Sequence, residues 1–250
     1  MKYSHNDEQQ YIQYLLDVLK LTDKTYVDVG ASDGIEMSNT YFLAQNNWNG
    51  FCVEYNPIKY NALIRNYTRF TNIKYSNNKA TPDTILDILG DNTPKSFDFL
   101  NLDIDGYDYY VLDKLLTTYR PKIICAEINE KIPPPIKFAV LYSDTYTWND
   151  APFFGQSIEM INDLCNSHNY SIVNVEYNNI FLVDNLVEHN LTKLSTTEAW
   201  TNGYYNKPDR RIKFSHNNGF EPIYALSPEQ MIVFINNAFI KHKGKYTIGI

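Results

Sequence analysis

Between residues 25 and 127, five short apolar runs are separated by four stretches with helical spacing, and few chains can satisfy that alternation except as an α/β layered fold. The expected strands are 25 to 29, 51 to 54, 72 to 75, 97 to 103 and 121 to 127, and the expected helices are 38 to 45, 57 to 66, 81 to 89 and 107 to 116. Connections of a few residues predict parallel strands joined by right-handed crossovers in a doubly wound sheet, whose ligands bind beyond the carboxyl ends of the strands. An amphipathic helix over 8 to 20 precedes the series.

Past residue 127 the pattern loosens. The stretch 129 to 154 holds Pro133, Pro134 and Pro135 among many aromatics, and it reads as an irregular active-site loop. A helix over 155 to 167 follows. IVNVEYNNIFLV then supplies two strands about an Asn178-Asn179 turn, an antiparallel hairpin closing the sheet edge. The core domain is expected to span 1 to 184. Residues 185 to 250 form a C-terminal extension, a cap or a homodimer contact, with one helix over 228 to 240 that starts after Ser227 with Pro228 first.

The 250 residues are 44% hydrophobic, enough for one sizeable core without staples. A polar N-terminus and the lack of a long apolar run predict a cytosolic chain with no membrane span. Cys52, Cys125 and Cys165 sit in apolar segments without metal-binding spacing and read as buried thiols, and the five histidines form no ligand pair. A net charge of -7 argues against a nucleic-acid backbone as partner. The one basic cluster, Lys207, Arg210, Arg211 and Lys213, is either a solvated loop or a site for a phosphate-bearing substrate.

The segment YVDVGASDG carries a strand into a glycine-bearing turn. Gly30 and Gly34 admit a ligand to the backbone beside Ala31, but Asp28 and Asp33 place carboxylates where a dinucleotide's pyrophosphate would have to sit. Carboxylates suit instead a ligand with positive centres and no phosphate. Glu54, ending the second strand, can accept both hydroxyls of a ribose. Asp103 and Asp105 lie two apart and face one crevice, as a base, a metal site or an electrostatic clamp, with Gly106 permitting the turn and Asp108 expected to cap the next helix. Glu127 ends an otherwise apolar strand, where a charge is costly unless used or paired. Among the histidines, His189 lies nearest the core and is a further candidate base.

In order along the chain, VDVGASDGIEMSNTYFL, GFCVEYNP, FDFLNLDIDGYDYYVLDKL, RPKIICAEIN, IPPPIKF and FFGQSIEMINDL resemble segments of the FkbM-type methyltransferases, including a bacterial branch that decorates surface polysaccharide sugars. The resemblance covers roughly 22 to 184. It implies a Rossmann-like class I fold, S-adenosylmethionine as cofactor and O-methylation of a sugar. By position it sets Asp28, Gly30, Asp33, Ser38, Asn39 and Glu54 around the cofactor and Asp103 and Asp105 beside the methyl group. The expected reaction is attack of a sugar hydroxyl on the methyl group, with Asp105 or Glu127 taking the proton or a divalent ion on Asp103, Asp105 and Glu127 lowering the hydroxyl pKa. For a nucleotide-linked sugar, Lys131, Lys137, Arg210 and Arg211 are the candidate diphosphate contacts, and rings such as Tyr142 and Trp148 could stack on the sugar. The rival readings are an NAD-dependent sugar dehydrogenase, opposed by the acidic turn and the absence of GxGxxG, and a non-catalytic binding protein on the same fold.

Overall fold

The computed structural model describes residues 2–149 and 152–250. Helix α1 (Glu8–Leu19) leads into β1 (Thr25–Val29), α2 (Tyr41–Gln45), β2 (Asn49–Val53), α3 (Pro57–Asn66), β3 (Ile73–Ser76), α4 (Ile85–Leu89), β4 (Ser96–Leu102), α5 (Asp108–Leu116) and β5 (Arg120–Glu127). Then come β6 (Lys137–Val140), α6 (Ile158–His168), β7 (Tyr170–Glu176) and β8 (Asn179–Asp184). Seven strands make one sheet in the order β3-β2-β1-β4-β5-β8-β7. β1 to β5 pair in parallel, while β8 runs antiparallel to both β5 and β7. This is the doubly wound sheet with an edge hairpin that the sequence predicts.

The order places β2 on one side of β1 and β4 on the other, so the winding reverses there and leaves a crevice at the carboxyl ends. Residues alternate between faces with period two. Val27, Val29, Leu100 and Leu102 pack in one cluster with Val111, Leu115, Ile161 and Leu164 of α5 and α6. Tyr26, Cys52, Phe99, Ile123 and Cys125 point the other way, onto Ile12, Leu15 and Leu16 of α1 and Leu63 of α3. Asp28, Glu54, Asn101, Asp103, Glu127 and Asn179 continue the numbering of that second set, so the polar ends of five strands share the face that α1 covers.

Several boundaries differ from the sequence reading for local reasons. The helix expected from 38 is only Tyr41–Gln45, because the Ser38 hydroxyl takes the N–H groups of Thr40 and Tyr41 and closes a turn first. The helix expected from 81 begins at Ile85 after a Thr81–Thr84 hydroxyl pair fixes the preceding turn. Helix α6 starts at Ile158 because Ser157 caps it. The hairpin turns at Tyr177 and Asn178, with Asn179 already in β8.

The stretch 129 to 154 is not simply an irregular loop, although its residues 150 and 151 lie outside the described residues. It contains β6, which pairs with β9 (Tyr246–Gly249) from the far end of the chain. Around that ribbon Ile136, Phe138, Val140 and Phe153 pack with Phe220, Ile223, Ile235 and Phe239 as a third cluster. The last 66 residues hold more structure than the single helix expected from 228: α7 (Thr196–Trp200), a π turn, α8 (Arg210–Lys213), a 3-10 segment over Ser215–Ala225 and α9 (Pro228–Ala238). The α9 start is as expected, with Ser227 and Gln230 forming a reciprocal cap. Trp200, Tyr204 and Phe214 join the main core. No helix among the described residues is long and apolar enough to cross a membrane.

Candidate active site

A cavity of about 550 Å³ opens at the switch point. It is lined by Glu54, Tyr55, Asn78, Gly30, Ala31, Ser38 and Asn39, by Asp103, Asp105, Glu127 and Trp148, and by Asn178, Asn179, His5 and Glu8. That volume lies within the usual range for a ligand of cofactor size.

The floor is a chain of amides and acids fixed by strand register. Asp28 pairs with Asn101 across β1 and β4. Asn101 Nδ2 donates to Asp28 Oδ1 at 2.9 Å, Thr40 Oγ1 donates to Oδ2 at 2.6 Å, and Asn39 Nδ2 donates to Asn101 Oδ1 at 3.1 Å. Burial pushes the Asp28 carboxyl up to about 6, against the two hydrogen bonds that favour its anion. Asn39 Oδ1 is buried and has no donor. Glu54 is anchored at both oxygens, by the N–H of Ser32 at 2.8 Å and of Asn56 at 2.6 Å, which orients a carboxylate that still has acceptor capacity toward the cavity.

Two expected cofactor contacts do other work. Asp33 lies outside the cavity lining, and its Oδ1 takes the N–H groups of Ile35 and Glu36, both at 2.9 Å, holding the turn. Gly34 faces α3, where a Cβ would come within 2.5 Å of Leu63 and Tyr67 atoms. Gly30 lines the cavity, yet what forbids a side chain there is protein: at φ +90 a Cβ would sit 1.7 Å from the Asp103 carbonyl oxygen. The glycine lets two strand ends cross closely.

Asp103, Asp105 and Glu127 converge. Each offers a carboxylate oxygen within 4.8 Å of the others. Burial first, and then the neighbouring acids, hold Asp103 and Glu127 well above the usual carboxylate range. Asp105 is raised by burial with Lys59 opposing. Its φ of 55 puts it in the left-handed region, a backbone position that aims its side chain back at the cavity and that Asp tolerates better than most residues. Asp108 does not cap its helix; it reaches back to the N–H groups of Ile104 and Gly106 and so braces the turn that carries Asp105. Tyr146 adds a second brace, its hydroxyl lying 3.0 Å from the Asp105 carbonyl.

Residues 74–172, which include these three acids, match the family model described as the methyltransferase FkbM domain. Over that segment the chain is similar to the FkbM methyltransferases. Methyl transfer with S-adenosylmethionine as donor goes with that assignment. No curated protein matches the chain by sequence. Among solved structures, an S-adenosylmethionine-dependent methyltransferase from Clostridium acetobutylicum ATCC 824 is similar over 74% of this chain and 92% of its own, with 9% identity and a TM-score of 0.47. A putative O-methyltransferase from Klebsiella pneumoniae is similar over 71% and 80%, with 12% identity and a TM-score of 0.46. Magnesium protoporphyrin IX methyltransferase from Synechocystis PCC 6803, solved with S-adenosylmethionine bound, is similar over 70% and 79%, with 10% identity and a TM-score of 0.43.

The methyltransferase does not bring its expected phosphate contacts to the cavity. Lys131 is fully buried, with Nζ donating to Asn129 Oδ1 at 2.9 Å and lying over the Phe154 ring, and burial lowers its pKa. Lys137 pairs with Asp163 on the surface. Arg210 forms a two-pronged pair with Glu221 among Tyr204, Tyr205 and Tyr224, and Arg211 pairs with the same Glu221. Tyr142 hydrogen-bonds Asp144 and edges a second hollow beside Thr81 and Thr84. His189 accepts the Leu191 N–H and lies outside the lining, whereas His5 is part of it.

The residues that sequence reasoning passed over are Asn101, Asn178, Asn179, Glu8 and Lys59. Asn101 did leave a signal, an amide in the middle of the apolar run FDFLNL. Glu8 left none: it is buried at the start of α1, where its carboxylate takes donors from Asn6 and Asn179.

Proposed function

We propose that the chain transfers a methyl group from S-adenosylmethionine to a hydroxyl of a sugar, of the kind built into surface polysaccharide. The observation that carries the cofactor reading is charge. Glu8, Asp28, Glu36, Glu54, Asp103, Asp105 and Glu127 border the cavity, against Lys59 and His5. A dinucleotide's pyrophosphate would be repelled there, while a ligand with an ammonium and a sulfonium is attracted. The rival dehydrogenase is disfavoured on the same ground.

S-adenosylmethionine, when bound, supplies a methyl group on a positive sulfur and leaves as the neutral thioether. In this reading Glu54 holds the ribose hydroxyls, and Asn39 offers its unpartnered Oδ1 to the cofactor's amino group. The acceptor hydroxyl is positioned between the acids of β4 and β5, and its proton passes to Asp105 or Glu127. A carboxyl held above its ordinary range by burial is a stronger base for that step than a solvated one. Asn178, Asn179, Trp148 and His5 line the same cavity and suit a polyhydroxylated acceptor, with amides for hydroxyls and a ring for a sugar face. The nucleotide-linked form is not part of the proposal, because Lys131, Lys137, Arg210 and Arg211 are engaged elsewhere. Residues 185 to 250 would act as the support of the acceptor end.

Calorimetric titration with S-adenosylhomocysteine and, separately, NAD tests the cofactor. Micromolar affinity for the first alone, about -8 kcal/mol, is the expected result, and affinity for NAD alone would overturn it. Transfer of labelled methyl to free sugars then tests the acceptor.

A further inference from the structure

At the end of the cavity formed by β4, β5 and the β7–β8 turn, acceptors outnumber donors. Glu127 is 7% exposed, and its Oε2 has no hydrogen-bond partner. Its Oε1 takes the Asn178 Nδ2 at 3.1 Å, which leaves Asn178 Oδ1 facing away from that bond, also buried and without a donor. Beside them lie Asp103 and Asp105, each with an oxygen within 4.8 Å of Glu127 and of the other. Lys59 opposes the rise at Asp105. Buried acceptors left without donors cost free energy, and a group of carboxylates costs more.

A cation is what such a place lacks. S-adenosylmethionine brings two positive centres and a carboxylate, a net single charge, against seven acidic side chains along the cavity. The spacing suits a metal. Three oxygens within 4.8 Å of one another lie no more than about 2.8 Å from a common centre, at most a few tenths of an ångström beyond a Ca²⁺–oxygen bond of about 2.3–2.6 Å, so modest side-chain rotation brings all three carboxylates onto one hard ion. We propose that Asp103, Asp105 and Glu127 bind one divalent cation of the oxygen-preferring class, with an open position for the acceptor hydroxyl. The ion's part in catalysis rests on the methyltransferase reading, since it would lower the hydroxyl pKa. Its binding does not.

The test uses the whole protein and Mn²⁺ as probe, titrated after chelator treatment while the free ion is followed by electron paramagnetic resonance. Saturable binding of one Mn²⁺ per chain, competed by Mg²⁺ or Ca²⁺, is expected, together with a rise in Tm. Glu127→Gln should weaken that binding by at least about tenfold while S-adenosylhomocysteine still binds, which shows that the variant is folded. Should Glu127→Gln fail to fold, Asp105→Asn, on the partly exposed carboxylate, is read in the same way. Absence of saturable Mn²⁺ binding by the wild type, or undiminished binding by a folded variant, would overturn the proposal and leave the acids to share protons. A protein that binds Mn²⁺ but not S-adenosylhomocysteine would keep the metal site and sink the methyltransferase reading.

Discussion

Two groups of charges in this molecule look alike in sequence and behave oppositely in space. The acids of 103 to 127 converge at the strand ends with a single exposed lysine nearby and an unpartnered oxygen among them. The cations of 207 to 213 lie apart from the cavity in the C-terminal segment, and each has an acid: Lys207 with Glu176, Arg210 and Arg211 with Glu221, Lys213 with Asp209. Matched charge makes scaffold, and unmatched charge facing a cavity makes a site.

The sharpest way to break the contrast is to neutralise one member of the acid group. Glu127→Gln is expected to lower kcat by about 10²- to 10⁴-fold, the usual worth of a proton acceptor, with S-adenosylhomocysteine affinity nearly unchanged. A variant as fast as wild type would remove Glu127 from the chemistry. In the matched group, Arg210→Ala should act on stability instead. It removes the guanidinium from among Tyr204, Tyr205 and Tyr224 and leaves Glu221 without its main partner, a loss of about 3 kcal/mol or roughly 6–12 °C in Tm, with acceptor KM unchanged. A raised KM would return the arginine to the site.

Glu54→Gln, at the cofactor end, keeps the shape and removes the charge, so S-adenosylhomocysteine affinity should fall roughly tenfold to a hundredfold by calorimetry. Asp28 gives a smaller, pH-dependent effect. Burial raises its folded pKa from the ordinary 3.8 to about 6, so its contribution to stability is complete below the lower value and lost as pH rises through the upper one. The Tm of Asp28→Asn minus that of wild type should therefore increase from pH 4.5 to 7. A flat difference would mean that Asp28 titrates normally. Least of all, Arg211→Ala should shift stability by about 0.5 kcal/mol or less, because the guanidinium is 67% exposed and the pair is screened.

Much of the sheet could be read from the chain because its strands announce themselves locally. β1 is where the apolar run places it, and Asp28, Asp103 and Glu127 reach one cavity because each lies at or next to the carboxyl end of a strand whose alternation fixes its face. The same reasoning erred at Asp33 and Gly34. A turn acid and a turn glycine look the same whether they meet a ligand, a backbone N–H or a neighbouring helix, and here they meet Glu36 and Tyr67. The ribbon of β6 and β9 was illegible for another reason: its partners are about a hundred residues apart, and neither strand is long enough to declare itself.

The sequence by itself determined the alternation of elements, the winding of the sheet and the acids at its strand ends, since these follow from side-chain period and turn chemistry within a few residues. Only the tertiary structure decided which charges are satisfied. Arg210 finds Glu221 and Lys137 finds Asp163, while Asn178 arrives beside Glu127 because β8 runs antiparallel to β5, and Glu8 arrives at the cavity because α1 packs across the sheet. Such pairings depend on long-range closure of the chain, and no local pattern encodes them.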